Sequence, residues 1–470
     1  MARRAQHAGM PTLVDARAIL RRHFGFPDFR PSQREVVRAV LNGRDTLAVL
    51  PTGAGKSACF QVPALLFDGI SVVVSPLISL MTDQVAACQR RGIAAAALTS
   101  STSVVDRVVV AEALRTRSIR LLYLSPERLA ASAVSLRAQI GVPAMLAVDE
   151  AHCISEWGPD FRPAYRRLGL VRRQLGMPPV VALTGSATPE VRRDITRQLA
   201  FRGGAGALEY VASFDRPNLD FCVRVVSCEA DRFRAVLAEL DRTRPLAIVY
   251  TPTRSVTEAL TRALRHAGYD AVPYHAGLTS EYRLRALERF TSAQVQVVVA
   301  TCAFGMGIDA PNVRLVVHWS MPPTLESYYQ EAGRAGRDGA TARCVLLYRP
   351  GDGDRQREQL DVTFPPPRAV ERIWRDPDAA RRAPAGLRES AERLRGEVLQ
   401  DSGRAEWAPV KRRRRLAEGR IRAVERYATT RRCRRGVLLG YFGERLAGCA
   451  GCDRCTHDPA SKVPRPSAAG

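Results

Sequence analysis

Residues 46–57 read Thr46-Leu47-Ala48-Val49-Leu50-Pro51-Thr52-Gly53-Ala54-Gly55-Lys56-Ser57. Thr46–Leu50 has the apolar character of a buried parallel strand, Ser57–Phe67 reads as a helix, and the glycines lie between them. Glycine lets backbone N–H groups close on phosphate oxygens, and the helix that follows aims its positive N-terminal end at the same charge. In such a loop Thr52, Gly53 and Gly55 cradle the phosphates. Lys56 reaches the β- and γ-phosphates, and the Ser57 hydroxyl ligates Mg2+. The leading glycine of G-x-x-x-x-G-K-S is absent, because Leu50 stands there, so the strand–loop–helix context carries the reading. A glycine-rich turn with no ligand is the bland alternative.

The pattern repeats outward from this loop. Ser71–Ser75, Leu121–Leu124, Ala144–Val148 and Val180–Leu183 read as further buried strands, with Leu77–Arg91 a helix between them. That is an α/β fold around a parallel sheet over residues 13–216, with residues 1–12 as a flexible start. After the polar turn Asp215-Arg216-Pro217-Asn218 the alternation restarts over 217–350. Its strands are Leu246–Tyr250, Ala271–Tyr274, Val295–Ala300, Arg314–His318 and Ala342–Tyr348, and its helices Thr253–Ala267, Ser280–Thr291 and Leu325–Gly333. Two such lobes in tandem are expected to form a cleft. Phe364-Pro365-Pro366-Pro367 then breaks the pattern. Residues 351–410 read as a basic helical insert, 411–457 as a small α-helical module, and the Pro/Ala/Ser-rich 458–470 as a disordered tail.

Ala144–Val148 ends in Asp149-Glu150-Ala151-His152. Carboxylates at the C-terminal end of a parallel strand sit where such sheets bind ligands. Asp149 suits Mg2+, and Glu150 suits orienting or deprotonating the attacking water. His152 has two readings, a group that couples the two lobes or a satisfied core histidine. In the second lobe Gln330, Arg334 and Arg337 are spaced i, i+4 and i+7, which on a helix places all three on one face. Arginines delivered to a γ-phosphate lower the barrier of phosphoryl transfer; a solvated basic face is the alternative.

Charge points to a polyanionic partner. The 470 residues carry 71 Lys and Arg against 47 Asp and Glu, a net charge of +24, and phosphate neutralisation with counterion release dominates nucleic-acid affinity. An arginine-rich proteome would give the same excess without such a partner. No uninterrupted apolar run is long enough for a membrane span, and the basic start lacks the apolar stretch of a signal peptide. The expectation is a soluble cytoplasmic, nucleoid-associated protein with no membrane partner.

Seven of the eleven cysteines are scattered and read as reduced core residues. Cys433, Cys449, Cys452 and Cys455 crowd together and suit a closed tetrahedral zinc site. An iron–sulfur cluster fits the ligand type as well, and His457 is a spare ligand. Cys153 to Arg166 interleaves Trp157, Phe161 and Tyr165 with Arg162 and Arg166. Rings stack on bases while guanidiniums meet phosphates, so this loop suits single-stranded DNA, with core packing as the alternative.

Taken in order, these stretches resemble the RecQ family of superfamily 2 ATP-dependent DNA helicases over roughly residues 13–457. Further matches are Phe24–Gln33 (FGFPDFRPSQ), Ser75–Met81, Tyr123–Arg128, Leu183–Thr188, Tyr274–Gly277 and Thr301–Asn312 (TCAFGMGIDAPN). The flanks of the cysteines, Tyr427–Arg435 and Leu438–Glu444, resemble that family's zinc-binding subdomain. The resemblance implies two RecA-like lobes and ATP, Mg2+ and Zn2+ as cofactors. It also implies translocation 3′ to 5′ on single-stranded DNA, with unwinding of duplex DNA in repair or recombination. By the same resemblance Phe26 stacks on adenine, Gln33 reads its edge with Arg30 nearby, and Asp309 approaches the ribose. The aromatic-rich loop couples DNA to hydrolysis, although Pro159 replaces the family's usual histidine.

Many members continue into a winged-helix and then a helical nucleic-acid-binding domain. The sequence given ends about fifteen residues after Cys455, so the reading expects a short form without them. The basic stretch 368–426, densest at Lys411–Arg415, is then a substitute DNA contact or simply a solvated face. Two other functions stay open: a DNA-stimulated ATPase that remodels or anneals strands with little unwinding, and a nucleotide-gated DNA-binding adaptor.

Overall fold

Runs such as Val72–Val74, Val297–Val299 and Val316–Val317 are stiff at χ1 and apolar on both sides, so they settle where both faces of a sheet are covered. The computed structural model describes residues 10–51, 53–99, 102–158, 160–242, 244–305, 310–399 and 405–455. Its strands form two separate, wholly parallel sheets. The chain divides into two units, one running to Phe214 and including Phe442–Glu444, the other comprising Asp215–Tyr441 and the residues from Arg445 on.

The first unit contains β1 (Asp45–Val49), β2 (Ser71–Val74), β3 (Ala95–Leu98), β4 (Leu121–Leu124), β5 (Met145–Val148), β6 (Val180–Thr184) and β7 (Ala207–Val211). Their order is β3-β4-β2-β5-β6-β1-β7. Every residue of β1, β2, β4, β5 and β6 is buried. Phe60, Tyr123, Val181 and Leu183 belong to the core beside them. Register sets Val49 beside Thr184, and Val148 beside Ala182, so the C-terminal ends of β1, β6 and β5 lie side by side. At the opposite end of β1 the carboxylate of Asp45 is fully buried with Arg172. Arg172 donates to Asp45 at 2.6 Å, to the carbonyls of Pro178 and Leu199 at 2.9 and 2.8 Å, and to Ala200 at 3.0 Å. A buried charge is tolerable only with its hydrogen bonds filled, and here they are.

The second unit contains β8 (Leu219–Val225), β9 (Ala247–Tyr250), β10 (Ala271–Tyr274), β11 (Val297–Ala300), β12 (Leu315–His318) and β13 (Ala342–Tyr348), ordered β10-β11-β9-β12-β13-β8. Beyond β13 the chain is helical: Asp352–Thr363, Pro367–Arg375, Pro377–Arg382, Ala385–Val398, Ala408–Thr429 and Arg434–Tyr441. The proline run ends the first of these, with Pro367 opening the next. The helices of the insert have a core of their own, built from Val370, Ala391, Leu394, Val398 and Val410. Trp374 and Trp407 stack beside it with centroids 5.7 Å apart. The expected division at 410/411 falls inside the single helix Ala408–Thr429. The reason is that Val410 packs with the insert, while Tyr427, on the same helix, meets Tyr328 hydroxyl to hydroxyl at 3.2 Å.

The strands expected from apolar runs are present in both sheets. Three more, β3, β7 and β8, complete them. Cys228 and Cys302, read as core residues, are exposed, whereas Cys59, Cys88, Cys153, Cys222 and Cys344 are buried. No helix among the described residues is long and apolar enough to cross a membrane. Residues 1–9 of the expected flexible start 1–12 and the expected tail 458–470 lie outside the described residues, as do Thr52, Pro159, Asp309 and His457, while Thr12 caps the helix Leu13–Ile19.

Candidate functional site

The loop after β1 has the conformation its glycines predict. Gly53 and Gly55 have φ of +83° and +72°, a region costly for other residues. Lys56 and Ser57 follow, half-buried, and the helix Ala58–Ala64 begins directly after Ser57. The sequence extended that helix to Phe67; Pro63 lies within it and it closes at Ala64.

Gln33, on the helix Pro31–Leu41, is a strut for this loop. Its amide donates to the carbonyls of Ala54 at 2.8 Å and Gly55 at 3.0 Å, while its oxygen accepts the Arg30 N–H at 2.9 Å. The Arg30 guanidinium donates to the Gly53 carbonyl at 2.5 Å. The Gln33 amide and the Arg30 guanidinium thus donate to the loop's own backbone. Phe26 nearby in sequence is 59% exposed, an aromatic face available for stacking.

Asp149 stands at the C-terminal end of β5 and is nearly fully buried. The Glu150 N–H donates to it at 3.0 Å, and the Gln84 amide does so at 3.2 Å. Burial raises its pKa to about 6, the neighbouring Glu150 charge adds to this, and Lys56 opposes it. The protein therefore brings Lys56, Asp149 and Glu150 into one electrostatic neighbourhood, in which the two carboxylates outnumber the one ammonium. Such a site fits Mg2+, whose charge would relieve the penalty on Asp149. Gln84 was not singled out from sequence, since a lone glutamine on a helix carries no pattern.

Glu150 adopts a left-handed backbone with φ of +48°, a strained setting for a residue with a side chain. His152 is buried and links three segments. Its Nδ1 lies 2.9 Å from the Thr184 hydroxyl at the end of β6 and 3.3 Å from a Glu150 oxygen, and its Nε2 lies 3.6 Å from Asp160. Its pKa is raised: burial disfavours the charge, but Cys153, Asp160 and Glu150 outweigh it. His152 is thus a satisfied core histidine whose partners come from three segments of the first unit.

The aromatic-rich loop divides by exposure. Trp157 is 42% exposed and Phe161 half-buried, so both rings are reachable. Arg162 is half-buried and donates to the Pro76 carbonyl at 2.7 Å, which fastens the loop to the turn after β2. Tyr165 requires a correction. It is fully buried and its hydroxyl donates to the Asp149 carbonyl at 3.2 Å, so it braces the carboxylate strand and offers no ring to a base. The reason is that Tyr165 lies in the short helix Pro163–Arg166, which packs inward.

In the second unit Gln330 lies in the helix Leu325–Ala332, but that helix stops before Arg334. Arg334 and Arg337 are carried by the following turn, so the three side chains do not share a helical face as their spacing suggested. Gly333 closes the helix and Gly336, at φ of +56°, turns the chain away. Arg334 is buried and Arg337 half-buried, and both charges act on the buried Tyr250 hydroxyl at the end of β9. The sequence also missed Arg216, whose guanidinium donates to the carbonyls of Gly333, Ala335 and Gly336 at 3.2, 3.1 and 2.8 Å.

The four clustered cysteines converge, with all sulfur atoms within 4.8 Å of one another. The Cys433 and Cys452 sulfurs are 3.9 Å apart. A tetrahedron with metal–sulfur bonds of about 2.3 Å has edges of about 3.8 Å, so the spacing fits zinc. Cys452 bridges to Phe221, and the Asp453 N–H donates to the Phe221 carbonyl at 3.0 Å, so the ligand loop lies alongside the edge strand β8. Arg434 is buried here, donating to Asp453 at 2.9 Å and to the last carbonyls of the helix Ala408–Thr429.

Comparison with known proteins agrees with each part. Residues 30–195 match the family described as DEAD/DEAH box helicase, 231–339 the helicase conserved C-terminal domain, and 393–456 RecQ zinc-binding. The Haemophilus influenzae protein named ATP-dependent DNA helicase RecQ is 37% identical over 446 residues, 94% of this chain and 64% of its own length. The Bacillus subtilis protein named probable ATP-dependent DNA helicase RecS is 40% identical over 341 residues, 72% of this chain and 68% of its own. The chain spans a little under two thirds of the Haemophilus protein, and its match to Bacillus subtilis RecQ, at 44% identity, covers 56% of that protein. Among solved structures, the helicase MrfA bound to DNA and AMPPNP matches with a TM-score of 0.59 at 20% identity, covering 76% of this chain and 54% of that one. Mycobacterium smegmatis Lhr bound to single-stranded DNA and AMP-PNP matches with 0.52 at 20%, covering 87% and 62%. These last two speak for the fold of paired RecA-like sheets. A phosphate loop, a strand-end Asp-Glu pair, a turn of arginines and a four-cysteine module, in one order and matched at this identity, place the chain in the RecQ family of superfamily 2 helicases.

Proposed function

We propose that this protein is an ATP-dependent DNA helicase that couples hydrolysis to 3′–5′ translocation on single-stranded DNA and so unwinds duplexes in repair or recombination. The observation that carries the coupling is His152, which touches Glu150 on one side and Asp160 of the Trp157-bearing loop on the other. A base stacked on Trp157 or Phe161 would shift Asp160, and through His152 it would reset the carboxylate that handles the attacking water.

In this reading Gly53, Gly55, Lys56 and Thr52 hold the phosphates. Ser57 and Asp149 hold Mg2+, which supplies charge neutralisation on the phosphates when bound. Glu150 orients the water and takes its proton. Arg334 and Arg337 offset the negative charge on the γ-phosphoryl group as it passes to water, and Gln330 orients the helix end before them. Phe26 and Asp309 bind base and ribose. Zn2+ held by Cys433, Cys449, Cys452 and Cys455 closes the module after the insert and does not touch the reacting groups. The partners are single-stranded and duplex DNA in the cytoplasm, at the nucleoid.

The test pairs a strand-displacement assay with an ATPase assay, using DNA with a 3′ or a 5′ single-stranded tail. Unwinding of the 3′-tailed substrate that needs ATP and Mg2+ supports the reading. Hydrolysis without displacement would instead assign a strand-remodelling ATPase, and DNA binding with negligible turnover an adaptor. Lys56→Ala and Glu150→Gln should both abolish unwinding while DNA binding persists. Trp157→Ala should lower DNA-stimulated hydrolysis more than basal hydrolysis, whereas Tyr165→Ala, which removes a buried ring, should lower stability first.

A further inference from the structure

The turn that carries Arg334 and Arg337 begins where a helix has ended, so its carbonyls need partners from elsewhere. Arg216 supplies them. Its planar fork spans the Gly333, Ala335 and Gly336 carbonyls at once, and a guanidinium at a helix C-terminus is also favoured by the helix dipole. Asn218, two residues on, donates to Gly336 at 2.8 Å and Ala340 at 2.9 Å. A Cβ on Gly336 would fall 2.5 Å from that amide nitrogen, so the turn is packed against its holder without slack.

The holder is itself held. Arg435 is fully buried and lies two residues after Cys433, in the first turn of the helix Arg434–Tyr441. Its guanidinium pairs with Asp215 at 2.5 Å, donates to the Arg216 carbonyl at 2.8 Å, and reaches the carbonyls of Leu219 and Gly451. Gly451 precedes the ligand Cys452. A continuous path of charged hydrogen bonds therefore runs from the cysteine module through Arg435 and the Asp215–Asn218 turn to the segment bearing Arg334 and Arg337.

We propose that Arg216 and Arg435 are positioning residues that set the arginine-bearing turn, so that the cysteine module governs the rate of ATP turnover through them. This rests on the reading of Arg334 and Arg337 as the groups that act on the phosphoryl group. Neither Arg216 nor Arg435 belongs to the phosphate loop or the aromatic loop, so nucleotide and DNA affinity should be spared. A fork spanning three carbonyls cannot be replaced by one ammonium, so Arg216→Lys should fail to restore what Arg216→Ala removes.

The experiment uses the full chain, with variants Arg216→Ala, Arg216→Lys and Arg435→Lys, each also made in an Arg334→Ala/Arg337→Ala background. It reads kcat and KM for ATP with a single-stranded oligonucleotide, affinity for that oligonucleotide, bound zinc per chain and thermal midpoint. In the otherwise unchanged protein the expected result is a fall in kcat of about tenfold or more, with KM and DNA affinity moving less than about twofold. Bound zinc should stay the same. In the double-alanine background the same substitutions should change kcat by less than about twofold, because the turn then has nothing to present. An equal further fall in that background, an unchanged kcat in all three variants, or a rise in KM matching the fall in kcat would overturn the proposal. Should Arg216→Ala lose zinc or unfold, Arg216→Lys and Arg435→Lys, which keep the positive charge, decide it alone. If the double alanine variant itself hydrolyses ATP normally, the reading of Arg334 and Arg337 fails instead, which separates the two failures.

Discussion

Gln33 fills the space that a side chain on Gly55 would need: a Cβ there would fall 2.5 Å from the Gln33 amide nitrogen, which donates to the Gly55 carbonyl at 3.0 Å. The glycine therefore serves two ends, its positive φ and room for the strut. Each hydrogen bond that Gln33 makes to the loop is worth about 1 kcal/mol net, so Gln33→Ala should raise the KM for ATP by roughly 5- to 30-fold. Gly55→Ala should do more, since it adds backbone strain. The double variant should be better than the sum of the two, because removing the glutamine frees the space. Steady-state ATP titrations of the three proteins check this, and strict additivity would count against the strut.

Asp149 predicts a trade of stability against activity. Its folded pKa, near 6, lies above the ordinary 3.8, so between those values the folded state binds more protons than the unfolded one. Stability from this group is then fully present below about pH 3.8 and is lost as pH rises through about 6. At pH 7 without metal the buried carboxylate is a burden, and Asp149→Asn should stabilise the ligand-free protein by roughly 1–3 kcal/mol while abolishing ATP hydrolysis. Thermal unfolding of both proteins at pH 4 and pH 7 tests the sign: the variant's advantage should appear only at the higher pH. Added Mg2+ with ATP should narrow that gap.

Legibility in the sequence followed side-chain chemistry. Runs of valine and leucine predicted their strands because burial on both faces needs no knowledge of neighbours. The strand Ala95–Leu98 is mostly alanine, which favours no strand, and it forms because β4 pairs with it. Ala207–Val211 is only half-buried at a sheet edge, so its pattern is weak. The phosphate loop, the Asp149-Glu150 pair and the four cysteines were readable because their chemistry is local in sequence. Arg172, Arg434 and Arg435 were not readable. An arginine is expected at the surface, and each is buried by partners such as Asp45 or Asp215 that only the fold brings near. The placement of Arg334 and Arg337 failed for a related reason: the i, i+4, i+7 spacing is helical, but Gly333 and Gly336 within it end the helix.

The cysteine cluster should bind one zinc per chain, and its loss should unfasten more than the module. Cys452 is fully buried, and its neighbour Asp453 bonds to the Phe221 carbonyl and the Val223 N–H on the edge strand β8. Metal-binding free energy is folding free energy in such a site. Cys452→Ser should therefore lower zinc content below one and raise hydrogen exchange in β8 as well as in the helix Arg434–Tyr441. Metal analysis and exchange mass spectrometry read the two effects. Iron in place of zinc, or exchange confined to the cysteine loop, would contradict it.

The basic run Lys411–Arg415 separates into two kinds of residue once the helix Ala408–Thr429 is seen. Arg413 pairs with Glu397 and lies over the Phe364 ring, and Arg414 pairs with Asp361 and donates to the Phe364 carbonyl at 2.9 Å. These two bind the insert's helices to one another, so they have little left for a phosphate. Lys411 and Arg415 are exposed. If the insert contributes to duplex binding, the contribution must come from exposed groups such as these. Lys411→Gln with Arg415→Gln should then flatten the salt dependence of duplex affinity by about 0.9 for each phosphate no longer neutralised, alike for every sequence. Basal ATP hydrolysis should not change, because neither residue belongs to a nucleotide motif. Arg413→Gln with Arg414→Gln should act differently, lowering the thermal midpoint and leaving the salt slope nearly intact. Duplex titrations across a salt series, beside thermal unfolding of both pairs, distinguish the cases. The same slope in the Lys411/Arg415 pair as in the parent protein would mean that this face of the helix meets only solvent.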